Sequence, residues 1–89
     1  VMSIDVDFQF RSVLLRIEDS LSKDDRIQLH FLFGQDIPRT LRETGSLEES
    51  IRVLQTLFER MKISAENFDY LRRGLEAIQR FDCVKQLEG

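Results

Sequence analysis

Apolar residues recur at three- and four-residue intervals along almost the whole chain after Asp7, and that period limits what the chain can fold into. Phe10, Val13, Leu14, Ile17 and Leu21 mark the stripe of a core-facing helix. Ser22 before Lys23-Asp24-Asp25 is an N-cap with acids in the first turn, where the helix dipole favours them; Gly34 should close this second helix. Asp36-Ile37-Pro38 marks a turn, and Pro38 suits the first position of a short third helix reaching about Arg42. Ser46-Leu47-Glu48-Glu49 has the pattern of a capping box, and Leu47, Ile51, Leu54, Phe58 and Met61 give a fourth helix its stripe. Ser64 opens a fifth, carrying Phe68, Leu71, Leu75 and Ile78, and a sixth from about Phe81 to Leu87 presents Val84 and Leu87. No alternating run and no Asn-Gly or Asp-Gly turn signals a strand.

Helices this short bury their stripes only against one another, so the expected fold is all-α, a six-helix antiparallel bundle. Unequal segments without an internal period argue against a helical solenoid. With 89 residues, 42% of them hydrophobic and 33% charged, the chain has material for one core and is not disordered in character. Thirteen bases against sixteen acids give a net charge of −3, which offers no nucleic-acid footprint. No apolar run approaches the roughly 18 residues of a membrane span, and no basic-then-apolar leader opens the chain. Val1 ahead of Met2 reads as a cloning remnant, with the native start expected at Met2. One cysteine and one histidine cannot make an internal disulfide or a zinc site, so no metal and no cofactor is expected.

No catalytic constellation is visible either. His30 is expected on the surface or at the edge of the second helix's buried stripe, and Asp24 and Asp25 read as partners of the helix dipole. Cys83 reads as a partly buried, inert thiol. On a helical wheel Leu29, Leu32 and Phe33 fall within about 100° of one another and define the buried face of the second helix. Phe31 lies about 200° from Leu29 and shares the outward face with Ile27, which makes the pair a candidate contact patch. Arg80 and Asp82, two residues apart, read by themselves as a solvated surface pair.

These residues together resemble the death effector domains. Asp25 through Leu32, Asp-Arg-Ile-Gln-Leu-His-Phe-Leu, is similar to that family's second helix, in which an acid opens the segment and Leu-x-Phe-Leu closes it. Arg80-Phe81-Asp82-Cys83 resembles the family's Arg-x-Asp-Leu motif at the start of its last helix, with Cys83 in place of the leucine. The resemblance implies a charge triad of Asp25, Arg80 and Asp82 on the surface. It also implies that Phe31 is the exposed aromatic of a hydrophobic patch, which inserts between the first and fourth helices of a neighbouring domain. The domain is then expected over residues 8–87, between short tails at 1–7 and 88–89.

What the resemblance implies about function is a non-catalytic, cytoplasmic module. It would assemble with other death effector domains, itself included, and recruit or regulate initiator caspases and their adaptors in apoptosis signalling. The alternative within the family is an adaptor that binds a different partner, such as a kinase, and controls its location or activity. Caspase-recruitment and pyrin domains share the six-helix plan but lack the Arg-x-Asp-Leu motif, so Arg80 and Asp82 count against them.

Overall fold

A computed structural model describes residues 2–88, with side chains from Val6 onward. Among the described residues the chain forms five α-helices and one 3-10 turn: α1 Met2–Ser20, α2 Lys23–Leu32, the 3-10 turn Arg39–Arg42, α3 Leu47–Glu59, α4 Asp69–Ala77 and α5 Phe81–Glu88. The expected short third helix is therefore a single 3-10 turn following Pro38, and the fourth to sixth expected helices are α3, α4 and α5. Helix α1 runs back to Met2, through the segment expected to be a tail. Each helix buries one edge against neighbours: α1 packs on α3 and α5, α2 on α3, α4 and the 3-10 turn, and α4 on α5. The radius of gyration, 12.3 Å, matches the value of about 12 Å for a compact chain of this length, so the long α1 does not splay from the bundle.

The core gathers Leu14, Ile17 and Leu21 from α1, Leu29 and Phe33 around α2, and Val53, Leu54 and Leu57 from α3. Leu71, Leu75, Cys83, Val84 and Leu87 join from α4 and α5, and Phe10, Ile37 and Ile63 complete it. Aromatic rings close one end: Phe10 lies edge-on to Phe58 at 5.9 Å and stacks on Phe68 at 5.7 Å. Gly74 lets α4 approach α2 closely, because a Cβ there would stand 2.7 Å from the Phe33 ring and 2.8 Å from Leu29.

Several stripes sit one step away from where hydrophobicity places them. Leu32, expected on the buried face of α2, is 45% exposed beside Phe31, and His30 takes the inward position instead. On α3 the buried edge is Glu49, Ser50, Val53, Leu54 and Leu57, while Leu47 and Ile51 are exposed. Met61 lies beyond the end of α3, 89% exposed and at φ 59°. The start expected at Ser64 is instead a separate turn, in which Ser64 and Asn67 exchange backbone hydrogen bonds, and α4 begins at Asp69.

Caps explain the boundaries. At Ser22 the box is complete: its Oγ accepts from the Asp25 N–H at 3.1 Å, and its own N–H donates to Asp25 Oδ2 at 3.1 Å. At Ser46 only half of the expected box forms, the Glu49 N–H donating to Ser46 Oγ. The Glu49 carboxylate turns away to accept from the N–H groups of Glu43, Thr44 and Gly45. Gly45 is held at φ 68° in this turn, and a Cβ would stand 2.8 Å from Ile27 Cγ1. Gly45→Ala therefore combines backbone strain with a clash and should destabilise the domain by more than about 1 kcal/mol in urea unfolding. A loss smaller than the error of the fit would mean that the turn relaxes at no cost.

Candidate interaction site

The start of α2, the end of α1 and the start of α5 meet at Arg80. Its Nη1 donates to Asp25 Oδ2 at 2.6 Å and to the Ser20 carbonyl at 3.3 Å. Its Nε and Nη2 donate to the two oxygens of Asp82 at 3.1 and 3.0 Å, a bidentate fork. The three residues singled out from the sequence are thus joined in one network, with Arg80 at the centre. Burial works to raise the Asp25 carboxyl, but the Ser22 N–H and hydroxyl and the Arg80 guanidinium outweigh it and hold it below its ordinary range. The hydrogen bond from Arg80 is the main cause that lowers Asp82. Arg80 itself is raised, by Asp82 first and Asp25 next, against the opposing effect of burial.

The members differ in exposure, and so in what they can do. Asp25 is doubly committed, to the α2 cap and to Arg80, whereas the Asp82 side chain is 60% exposed and keeps its outer face in water. Asp25→Ala removes half of the capping box and an ion pair, and should cost about 1–2 kcal/mol. Asp82→Asn should leave the thermal midpoint unchanged. Equal melting of the two variants would show that the capping role of Asp25 carries no weight. Cys83 is fully buried in the core, where it packs as a small side chain with its Sγ in a weak hydrogen bond with Ser20 Oγ at 3.4 Å.

Phe31 is 76% exposed and Ile27 42%, on the outward face of α2, and Leu32 joins them. A shallow apolar depression runs alongside, bordered by Ile27, Phe31, Leu32, Ala77 and Ile78 where α2 meets α4. A second groove, of about 400 Å3, lies between α1 and α3. Leu14, Leu15, Ile51, Leu54 and Phe58 form its floor, while Arg11, Gln55 and Glu59 supply polar groups. The Arg11 guanidinium sits 4.2 Å above the Phe58 ring, which fixes one wall. Sequence reasoning had no signal for Leu15 as a groove residue, because it directly follows the core residue Leu14. It also assigned Ile51 to the core.

One arrangement has the composition of a hydrolase triad. His30 Nε2 lies 3.1 Å from Ser50 Oγ, and its Nδ1 faces Glu49 Oε1 at 3.6 Å. His30, expected at the surface or the edge of the stripe, is instead buried, as is Ser50, and the Ser50 hydroxyl is engaged by Glu18. A substrate carbonyl cannot reach a hydroxyl so enclosed, so the trio is not a nucleophilic site. Among the described residues no cluster of three or more metal-ligating side chains occurs, and no helix is long and apolar enough to cross a membrane.

An all-α bundle that displays a networked charge cluster, an exposed aromatic patch and an apolar groove defines a protein-interaction module. The family model of the death effector domain matches residues 10–89, and the chain belongs to that family. Its members are non-catalytic interaction modules of death-fold signalling. Searches of the curated proteins and of the solved structures return no match.

Proposed function

We propose that this death effector domain assembles with like domains, the Phe31 side of one seating in the α1–α3 groove of the next. The observation that carries this reading is the pairing of an exposed aromatic, Phe31, with an apolar groove of about 400 Å3 built from other helices of the same chain. Burying an exposed phenylalanine is worth about 1.5–3 kcal/mol, which makes it a contact able to order two domains. The patch and the groove share no residue, so one domain can use both at once. Such head-to-tail contact produces open chains unless its rotation happens to close a ring.

Assembly of this kind works by proximity. Effectors joined to adjacent domains are held at high local concentration, and the chemistry belongs to them. In this reading the partners are other death effector domains, of caspase or adaptor type, and the domain recruits or regulates initiator caspases in the cytoplasm during apoptosis signalling. Asp25, Arg80 and Asp82 supply a polar contact beside the apolar one, with Asp82 the member most open to a partner.

The test is light scattering behind size exclusion over a hundredfold range of concentration. Mass that grows with concentration supports homotypic assembly. A constant monomer mass would sink it and turn the search to a heterotypic partner, such as a kinase held by the same surface.

A further inference from the structure

Three polar side chains are as deeply buried as the core: Glu18, His30 and Ser50 are each 1% exposed, and they come from α1, α2 and α3 respectively. Ser50 Oγ is within hydrogen-bonding reach of Glu18 Oε1 and 3.1 Å from His30 Nε2. On the far side of the ring, Nδ1 faces Glu49 Oε1 at 3.6 Å, too far for a hydrogen bond but near enough for its charge to be felt. The charged groups around the trio are Arg26 of α2 and Glu49 of α3. Arg26 donates to the Glu18 carbonyl at 2.6 Å and reaches the Gly45 carbonyl at 3.5 Å. The Glu49 carboxylate is already held by the N–H groups of Glu43, Thr44 and Gly45. Among the described residues, α4 and α5 bring no hydrogen-bond or ion-pair partner to these groups.

A serine hydroxyl has one proton, so it can donate to Glu18 or to His30 but not to both. If it donates to His30 Nε2, Glu18 must be protonated to donate to Ser50 Oγ, and the ring proton sits on Nδ1, towards Glu49. If it donates to an ionised Glu18, then His30 Nε2–H donates to Ser50, and only an imidazolium still offers Nδ1–H to Glu49. A neutral ring protonated at Nε2 alone would aim its lone pair at the Glu49 carboxylate. The first two arrangements contain the same protons. They interconvert when the Glu18 proton passes to Ser50 Oγ and the hydroxyl proton passes to His30 Nε2, turning a neutral pair into carboxylate and imidazolium.

We propose that Glu18 and His30 share one proton through the Ser50 hydroxyl, and that this buried proton makes the seating of α2 on α1 and α3 sensitive to pH. Burial raises the Glu18 carboxyl, against the opposing Ser50 hydrogen bond and Arg26 charge. Burial also lowers His30, against the opposing effect of Glu49, and both directions favour the uncharged pair.

The sign of the pH dependence follows from counting protons. Between the ordinary values of 4.5 for the carboxyl and 6.5 for the imidazole, the unfolded chain has an ionised Glu18 and a charged His30. That is the same proton count as the folded pair, so the unit adds no slope there. Above 6.5 the unfolded His30 is neutral, and while the folded pair keeps its proton the folded chain binds one more, so over that range the folding equilibrium should fall by up to about tenfold per pH unit. Below 4.5 the unfolded chain binds one proton more, and the equilibrium falls again as pH drops. The next residue after His30 is Phe31, so the helix whose seating depends on this proton is the one that displays the aromatic patch.

Glu18→Gln isolates the shared proton, because the amide donates to Ser50 permanently. Urea unfolding from pH 5 to 9 should show the wild-type loss above 6.5 removed in the variant, with a new loss of about tenfold per unit appearing below 6.5. Parallel profiles for the two proteins would overturn the proposal. A second readout needs no variant: His30 is the only histidine, so the imidazole nitrogen resonances report it without assignment. Between pH 5 and 6.5, where the pair holds its proton, Nδ1 should be protonated. A neutral ring protonated at Nε2 would overturn the proposal even if Glu18→Gln failed to fold.

Discussion

Leu57→Ala should destabilise the domain by about 2–5 kcal/mol, lowering the thermal midpoint by roughly 10–30 °C. Leu57 is on the inner edge of α3 and has no solvent-exposed surface. Truncation there loses the transfer energy of the side chain and leaves a cavity that the surrounding core only partly fills. A domain of 89 residues has a total stability on the order of 5–13 kcal/mol, so this one change removes a large share. Met61 is the control. It was expected in the same stripe but stands outside the helix and in solvent, so Met61→Ala should change stability by less than about 0.5 kcal/mol. A similar small effect for Leu57→Ala would mean that α3 does not bury the edge formed by Val53, Leu54 and Leu57.

The contrast between Leu57 and Met61 shows what was legible in the chain. The five α-helices, the Ser22 and Ser46 caps and the outward face of Phe31 follow from period and local chemistry, because these depend on neighbours three or four residues away, whereas the short segment after Pro38 forms only a 3-10 turn. The depth of each stripe does not. On α2 the inward positions are Arg26, Leu29, His30 and Phe33, a regular helical edge with two polar members. Selecting apolar residues alone rotates that edge towards Leu32. On α3 the same selection passes over Glu49 and Ser50 and admits Leu47 and Ile51.

These errors have one source. Glu18, His30 and Ser50 are polar residues that belong to the core because they bond one another across three helices. Burying any one of them alone would cost several kcal/mol, so each is intelligible inside only once the other two are in place. Their separations in sequence, 12 and 20 residues, hide that relation from any local pattern. The charge network is the reverse case. Arg80 bonds Asp25 from 55 residues away, but the residues lie within two short motifs, and family resemblance joined what spacing alone left as a solvated pair.

Phe31→Asp and Leu15→Asp should each stop self-association, and mixing the two should restore a single contact. Both positions are exposed, so neither change disturbs the core, and far-ultraviolet circular dichroism should be unchanged. Phe31→Asp destroys the projecting patch but keeps the α1–α3 groove, while Leu15→Asp places a carboxylate in the groove and keeps the patch. Desolvating that carboxylate against an aromatic ring carries a penalty on top of the lost apolar contact, and truncating a central interface aromatic commonly costs 2 kcal/mol or more. Each variant alone should therefore associate at least roughly 30-fold more weakly than wild type. Together they can form one wild-type joint, between the Phe31 of one and the groove of the other, and no second joint. Sedimentation of the mixture should show a one-to-one dimer that does not grow with concentration, where wild type forms longer chains. Two monomers that ignore each other would mean that the patch and the groove are not partners, whatever each does separately. Wild-type growth of Phe31→Asp would remove the α2 face from the assembly altogether.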